Sequence, residues 1–481
     1  ITNMLITGAA GTGECLEMDT DATVQANLSD GDLTISYSAI ACAEGFKSPD
    51  GAVDLETWFT SEQTGNQLFS YEERTNLGIN IDGTLTTESA MLTAGADASK
   101  VDTFFETNTI VGAVGTSAND WRQGWAFGFG GGEVGVVTSV SGCPAGTTTI
   151  ADVDGATTTC QISGRITSDL TLTKGNLYAL SGAVFVGDDN ANSATLTVEP
   201  GVTVYGSSGN DYLVVSRGSK IDANGTPIAP ITFTSNQHVV NGLDNGEAGQ
   251  WGGLVVLGNA QSTKCPQDAT PCSLQVEGAQ EGAVFGGTDN TDSSGTLRYV
   301  RVMHGGFEIA PDNELNGITF GGVGSGTKVE YLQVHENADD GVEFFGGTVN
   351  LKYVVLTGNQ DDSVDWDNGY RGNMQYVLVK HDASDGAANR AIEADNDGST
   401  PNKQPQSNPT IANMTIIGNA FDTADKDSEG IYLREGTKAQ LHNFVVTNAA
   451  GECFELEGGD TSSITVYQAI AGETVISNSV F

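Results

Sequence analysis

The chain of 481 residues carries 62 Asp+Glu against 20 Lys+Arg, a formal net charge of -42, which argues against nucleic acid and anionic membrane surfaces as partners. Its 63 glycines and its 17% of charged residues exclude a disordered chain and point to turn-rich β-structure. No apolar run reaches the roughly 18 residues of a membrane span, so this segment is expected to contain none.

In chain order, the first stretch is Ile1-Thr-Asn-Met-Leu-Ile-Thr-Gly-Ala-Ala-Gly11, followed by Glu14-Cys-Leu-Glu17. It reads like Leu441-His-Asn-Phe-Val-Val-Thr-Asn-Ala-Ala-Gly451, followed by Glu452-Cys-Phe-Glu455, at an offset of 440 residues. A start that repeats the end implies a window on a tandem array of modules. Residues 1–141 are then the C-terminal part of a preceding module, and 142–481 the next one, truncated at its C-terminal end. A helix is expected around Leu55 to Arg74. Asp102-Thr-Phe-Phe105 and Trp121-Arg-Gln-Gly-Trp125 lead to the glycine run from Gly128 to Gly132, the expected module boundary.

From residue 160 onward, short β segments such as Ala194-Thr-Leu-Thr-Val198, Tyr212-Leu-Val-Val215 and Pro230-Ile-Thr-Phe-Thr234 alternate with Gly, Pro and Asn-Gly corners. Trp251-Gly-Gly-Leu-Val-Val-Leu257 is the most apolar and is expected in the core. A repeat then becomes explicit. Val329-Glu-Tyr-Leu-Gln-Val334 is followed by Asp340-Gly-Val-Glu-Phe-Phe-Gly-Gly347. Twenty-two residues on, the same pattern returns as Leu351-Lys-Tyr-Val-Val-Leu356 and Asp362-Ser-Val-Asp-Trp-Asp-Asn-Gly369.

Matching first strands begin at Leu297, Met374, Ile411 and Leu441, and matching second strands at Asn316, Arg390, Glu429 and Glu452. Each first strand is apolar at its first, fourth and sixth places. Such a strand cannot cover its apolar face alone and must stack on copies of itself, with insertions tolerated at the corners. The expected fold class is all-β: a right-handed parallel β-helix of about 22 residues per turn.

Seven cysteines fall in near pairs, Cys15 with Cys42, Cys143 with Cys160 and Cys265 with Cys272, leaving Cys453. Their spacings match no zinc or redox motif, so loop-stapling disulfides formed in an oxidising compartment are expected. The partner of Cys453, read from the end-to-end match, falls just after Phe481.

Glu199-Pro-Gly-Val-Thr-Val204, Gln250-Trp-Gly-Gly-Leu-Val-Val-Leu-Gly-Asn-Ala260, the Leu297 strand and the 340–350 and 361–366 motifs resemble those of bacterial right-handed parallel β-helix proteins of the cell surface. The resemblance covers roughly residues 160–460. It implies an extracellular or cell-surface protein and supplies no catalytic residues to carry over.

The second strands align Glu343, Asp365, Glu393 and Glu455 in one outward column, with turns about 4.8 Å apart. Like charges that close raise one another's pKa values or recruit a cation. Asp339 and Asp361 are among the corner acids that add oxygen for Ca²⁺, and the candidate ligands are Asp340, Glu343, Asp362, Asp365, Asp367, Glu393, Asp395 and Asp397. The alternative is an acidic ladder hydrogen-bonded to backbone amides.

Paired carboxylates on a β-helix can also cleave polysaccharides, with Asp361, Asp362 and Asp365 as acid and base and Arg371, Lys380 or His381 as the cationic partner. The column Tyr299, Tyr331, Tyr353 and Tyr376 is either a sugar-binding stack or ordinary ladder packing. The five histidines show no ligand spacing. Two readings follow: a tandem-repeat fibre or surface stalk, adhesive and joined end to end to its own copies, or a polysaccharide-binding or polysaccharide-cleaving β-helix.

Overall fold

The computed structural model describes residues 78–130, 142–153, 155, 157–241, 247–265, 272–309, 314–382, 388–419, 429–456 and 474–477. Of the earlier residues it describes 5–7, 14–17, 39–41, 44–47, 54–57, 60–61 and 67–68.

The one-four-six pattern of the first strands has a backbone cause. Their third residue, Tyr299, Tyr331, Tyr353, Tyr376, Asn413 or Asn443, lies at a φ between 49° and 62°. One left-handed residue inside an extended run turns the chain and shifts the in/out alternation by one place, so positions one, four and six all face inward. Asn adopts this conformation readily and Tyr does not. The tyrosines recover the strain by stacking, Tyr299 on Tyr331 with ring centroids 4.3 Å apart and Tyr331 on Tyr353 at 4.4 Å.

The chain forms two compact units, one of residues 122–372 and one of residues 1–121 together with 373–481. The 122–372 unit is a parallel β-helix. On one side Leu172, Val198, Ala223, Leu297, Val329 and Leu351 stack in register. On a second, Tyr178, Val204, Phe233, Val302, Val334 and Leu356 do the same. The third side stacks Val186, Val215, Val256, Phe320, Phe344 and Trp366.

All eighteen of these side chains are 2% exposed or less. At about 1.5–3 kcal/mol for each buried aliphatic or aromatic side chain, the columns are the main source of stability. The rungs therefore begin well before residue 297, where the 22-residue spacing is hidden by unequal corners. One end is closed by Thr148–Ile150, which pairs antiparallel with Thr159–Ile166 and is stapled to it by the Cys143–Cys160 disulfide.

The other unit stacks Met374, Ile411, Leu441 and Ile476 in register, with Val379, Ile416 and Val446 beside them. Against these strands lies a strap, residues 78–121, built of turns and three short 3-10 helices. In the stretch expected to be helical, Leu55–Thr57 is a helix and most of the remainder lies outside the described residues. The helical turn Asn236–Asn241 has no counterpart in the sequence reading.

Candidate functional site

The 22-residue rung places Asp339 over Asp361, Asp340 over Asp362 and Glu343 over Asp365, the last pair in direct strand register. The result is a carboxylate corner. One oxygen from each of Asp339, Asp340 and Asp361 lies within 4.8 Å of the others, as does one from each of Asp340, Glu343 and Asp365. Asp340 Oδ1 accepts the Asp362 backbone N–H at 3.0 Å, and Glu343 accepts from Asn316 Nδ2.

Burial first, and then Asp361, Glu314 and Glu277, pushes the Asp339 carboxyl up to about 7. Burial and the charge of Asp339 hold Asp340 and Glu343 well above the usual carboxylate range. The charged groups that act most strongly on these three are all acidic. None of the three forms an ion pair among the described residues.

Of the candidate ligands, Asp340, Glu343 and Asp365 converge. Asp362 is 3% exposed and adds its charge next to Asp340. Asp367 accepts the N–H of its neighbour Asn368 and acts on Glu343 at longer range. Glu393, Asp395 and Asp397 are engaged elsewhere: Glu393 pairs with Arg390 at 3.0 Å and Arg434 at 3.1 Å, Asp395 with Arg434 at 2.9 Å, and Asp397 with Lys403 at 3.2 Å. Asp339 and Asp361, two of the corner acids expected from the sequence, complete the corner. Glu277 and Glu314 come from corner insertions, which carry no periodic signal.

A second acidic group, Glu429, Glu452 and Glu455, also has oxygens within 4.8 Å of one another. Here Arg390 Nε lies 2.8 Å from Glu429. Burial pushes Glu429 up to about 7, and Arg390 opposes the rise.

Arg371 is not drawn toward Asp361, Asp362 or Asp365 by any of its hydrogen bonds, which run to the Gly347 and Gly369 carbonyls and to Gln261 Oε1 at 3.3 Å. His381 is 3% exposed, and burial pulls it down to about 4. Part of the tyrosine column is covered: Trp125 packs edge-on against Tyr299 and Tyr331 at 5.7 and 5.9 Å, while Tyr331, Tyr353 and Tyr376 stay half-buried.

Three of the five histidines do meet, contrary to their scatter in sequence. His238 Nδ1 and His304 Nε2 are 3.1 Å apart, and His304 and His335 are in ring contact. The disulfides Cys143–Cys160 and Cys265–Cys272 are formed. The pairing of Cys15 with Cys42 lies outside the described residues, and Cys453 is a buried thiol pushed up to about 12 by burial. No described helix is long and apolar enough to cross a membrane.

A family model described as a pectate-lyase-like beta helix domain matches residues 164–480, and the chain belongs to that family. No curated protein and no solved structure matches it.

Proposed function

We propose that the chain is an extracellular structural protein, a β-helix stalk or fibre whose work lies in stiffness and stacking, with Ca²⁺ at the carboxylate corner of Asp339, Asp340, Glu343, Asp361 and Asp365. The observation that carries this reading is that the faces suited to a polysaccharide are taken by the chain itself. Trp125 packs against Tyr299 and Tyr331 in the tyrosine column, and the strap lies on the polar ladder of Gln375, Asn413 and Asn443. Two disulfides within the fold fit an oxidising, extracellular setting. A bound divalent cation would supply the positive charge that Asp339, Asp340 and Glu343 do not obtain from an ion pair, through oxygens spaced for ligation.

The second reading is a polysaccharide-binding or polysaccharide-cleaving protein. It is favoured by the family description and by Asp339, a half-buried carboxyl held near neutrality and so suited to proton transfer. Electron microscopy of the purified chain with millimolar Ca²⁺ and with EDTA separates the two. Filaments with an axial repeat are expected. Dispersed particles that cleave an acidic polysaccharide would replace the first reading by the second.

A further inference from the structure

Two of the histidines that meet in the 122–372 unit fasten the loops of one corner. The Glu247 carbonyl can only accept, so in the neutral pair His304 Nδ1 donates to it at 3.1 Å. His304 Nε2 is then the acceptor, and His238 Nδ1 donates to it at 3.1 Å. His238 stands in the helical turn Asn236–Asn241, and its N–H donates to Ser235 Oγ at 3.1 Å. Gly249 and Gln250 donate their N–H groups to the Gly305 and His304 carbonyls at 2.7 and 2.9 Å. A third loop is held by Asp211, 4% exposed, whose carboxylate accepts the Ser208 N–H at 2.7 Å and the Gly182 N–H at 2.6 Å.

These loops are the walls of a cavity of about 700 Å³, inside the range of about 300–1,000 Å³ usual for small-ligand sites. Its lining departs from the usual apolar one. Ser207, Ser208, Asn236, Gln237, Gln250 and Gln360 bring hydroxyls and carboxamides, while Gly209 and Gly249 present main chain. Among the described residues no Lys, Arg or aromatic side chain lines it, Ala248 is its one aliphatic side chain, and Glu247 is its one carboxylate.

That composition selects a ligand class. An apolar molecule would strip water from the amides without replacing its hydrogen bonds. An anion would meet Glu247, find no cation on the walls, and approach a chain of net charge -42. Hydroxyl groups both donate and accept, as the serines and carboxamides of the walls do. A molecule carrying many hydroxyls and no charge therefore matches the cavity on every side.

We propose that this cavity binds the sugar units of a neutral glycan. The walls are fixed by the His238–His304 pair and by Asp211 before any ligand arrives, so little ordering cost opposes binding. With no aromatic platform among the lining residues, the dissociation constant for a single sugar is on the order of 1 mM. The site is separate from the carboxylates but borders them: a Cβ on Gly249 would touch Ala338 at 3.4 Å, next to Asp339, and Gln360 precedes Asp361. It goes beyond the stalk reading and needs neither filaments nor Ca²⁺. On a stalk it is an adhesive site.

The test is saturation-transfer NMR on the full chain with the methyl glycosides of glucose, galactose and mannose, and with methyl galacturonoside as the acidic counterpart, in millimolar Ca²⁺ and in EDTA. At least one neutral glycoside is expected to bind equally in both buffers, with the acidic one weaker by about tenfold or more. Ser208→Leu narrows the cavity and Gln237→Ala removes a carboxamide, both at exposed positions. Each should weaken binding by about fivefold or more with the thermal midpoint unchanged. Ile228→Ser, at a residue 96% exposed and outside the lining, should leave binding as it was. Failure of every neutral glycoside to bind overturns the proposal, as does binding that both cavity variants leave intact. Binding lost in EDTA would move the ligand to the carboxylate corner and overturn it as well. Filaments without glycoside binding would sink the cavity and leave the stalk standing; binding by dispersed particles would do the reverse.

Discussion

Two acidic corners occupy the same place in the repeat and are neutralised by different means. In the 122–372 unit the motif begins with Asp340 or Asp362 and reaches Glu343 or Asp365 three residues later. In the other unit the matching place is Arg390, three residues before Glu393. That exchange of sign decides the local electrostatics. Arg390 pairs with both Glu393 and Glu429, and Arg434 pairs with Glu393 and Asp395. The charged neighbours acting on Asp340 are carboxylates, so burial first and then their repulsion keep it protonated well above its usual range. One corner carries its cations in the sequence; the other is left to protons or a metal ion.

The comparison can be broken most strongly at Arg390. Arg390→Asp should give the second corner the charge pattern of the first, leave Glu429 without Arg390, and leave Glu393 with Arg434 alone. The expected loss is about 3–5 kcal/mol, read as a lower urea midpoint, with a response to millimolar Ca²⁺ that the parent corner lacks.

The next effect is pH dependence in EDTA. Asp339, Asp340 and Glu343 have folded-state values raised above their ordinary ones. Their contribution is therefore fully present below the ordinary carboxylate range and is lost as pH rises through the folded values, about 7 for Asp339. Between pH 5 and pH 8 the loss should be on the order of 2–4 kcal/mol. Millimolar Ca²⁺ should restore it, as followed by thermal unfolding. A flat profile would mean that the corner is already neutralised.

Asp340→Asn tests the same corner by subtraction. At pH 8 in EDTA it should stabilise by about 1–2 kcal/mol, because a buried carboxyl whose ionisation its neighbours oppose is removed. Isothermal titration should at the same time show Ca²⁺ affinity falling at least tenfold. The smallest effect is expected for Lys403→Met. The Lys403 side chain is 38% exposed, and Asp397 also accepts the Ser399 and Thr400 N–H groups. The denaturation midpoint should move by less than about 1 kcal/mol.

Much of this was legible in the chain. The 22-residue spacing from Val329 to Leu351 predicted the rung, its register and the stacking of Glu343 with Asp365, because a solenoid converts sequence period directly into spatial neighbourhood. Local cysteine spacing predicted both disulfides that are described. The period failed where corners vary. The approach of Glu277 and Glu314 to Asp339 and the meeting of His238, His304 and His335 depend on loops whose length follows no repeat.

By itself the sequence determined the wall: which residues face in, how the rungs pair, and that an acidic column would form. Only the tertiary structure decided how each part of that column is neutralised and what covers the faces. Arg390 reaches Glu429, Trp125 reaches the tyrosines and Ala96 reaches Asn443 by contacts 39, 174 to 206 and 347 residues long in sequence. Contacts at those separations are fixed by how the chain closes on itself in space, and neither composition nor period encodes that closure.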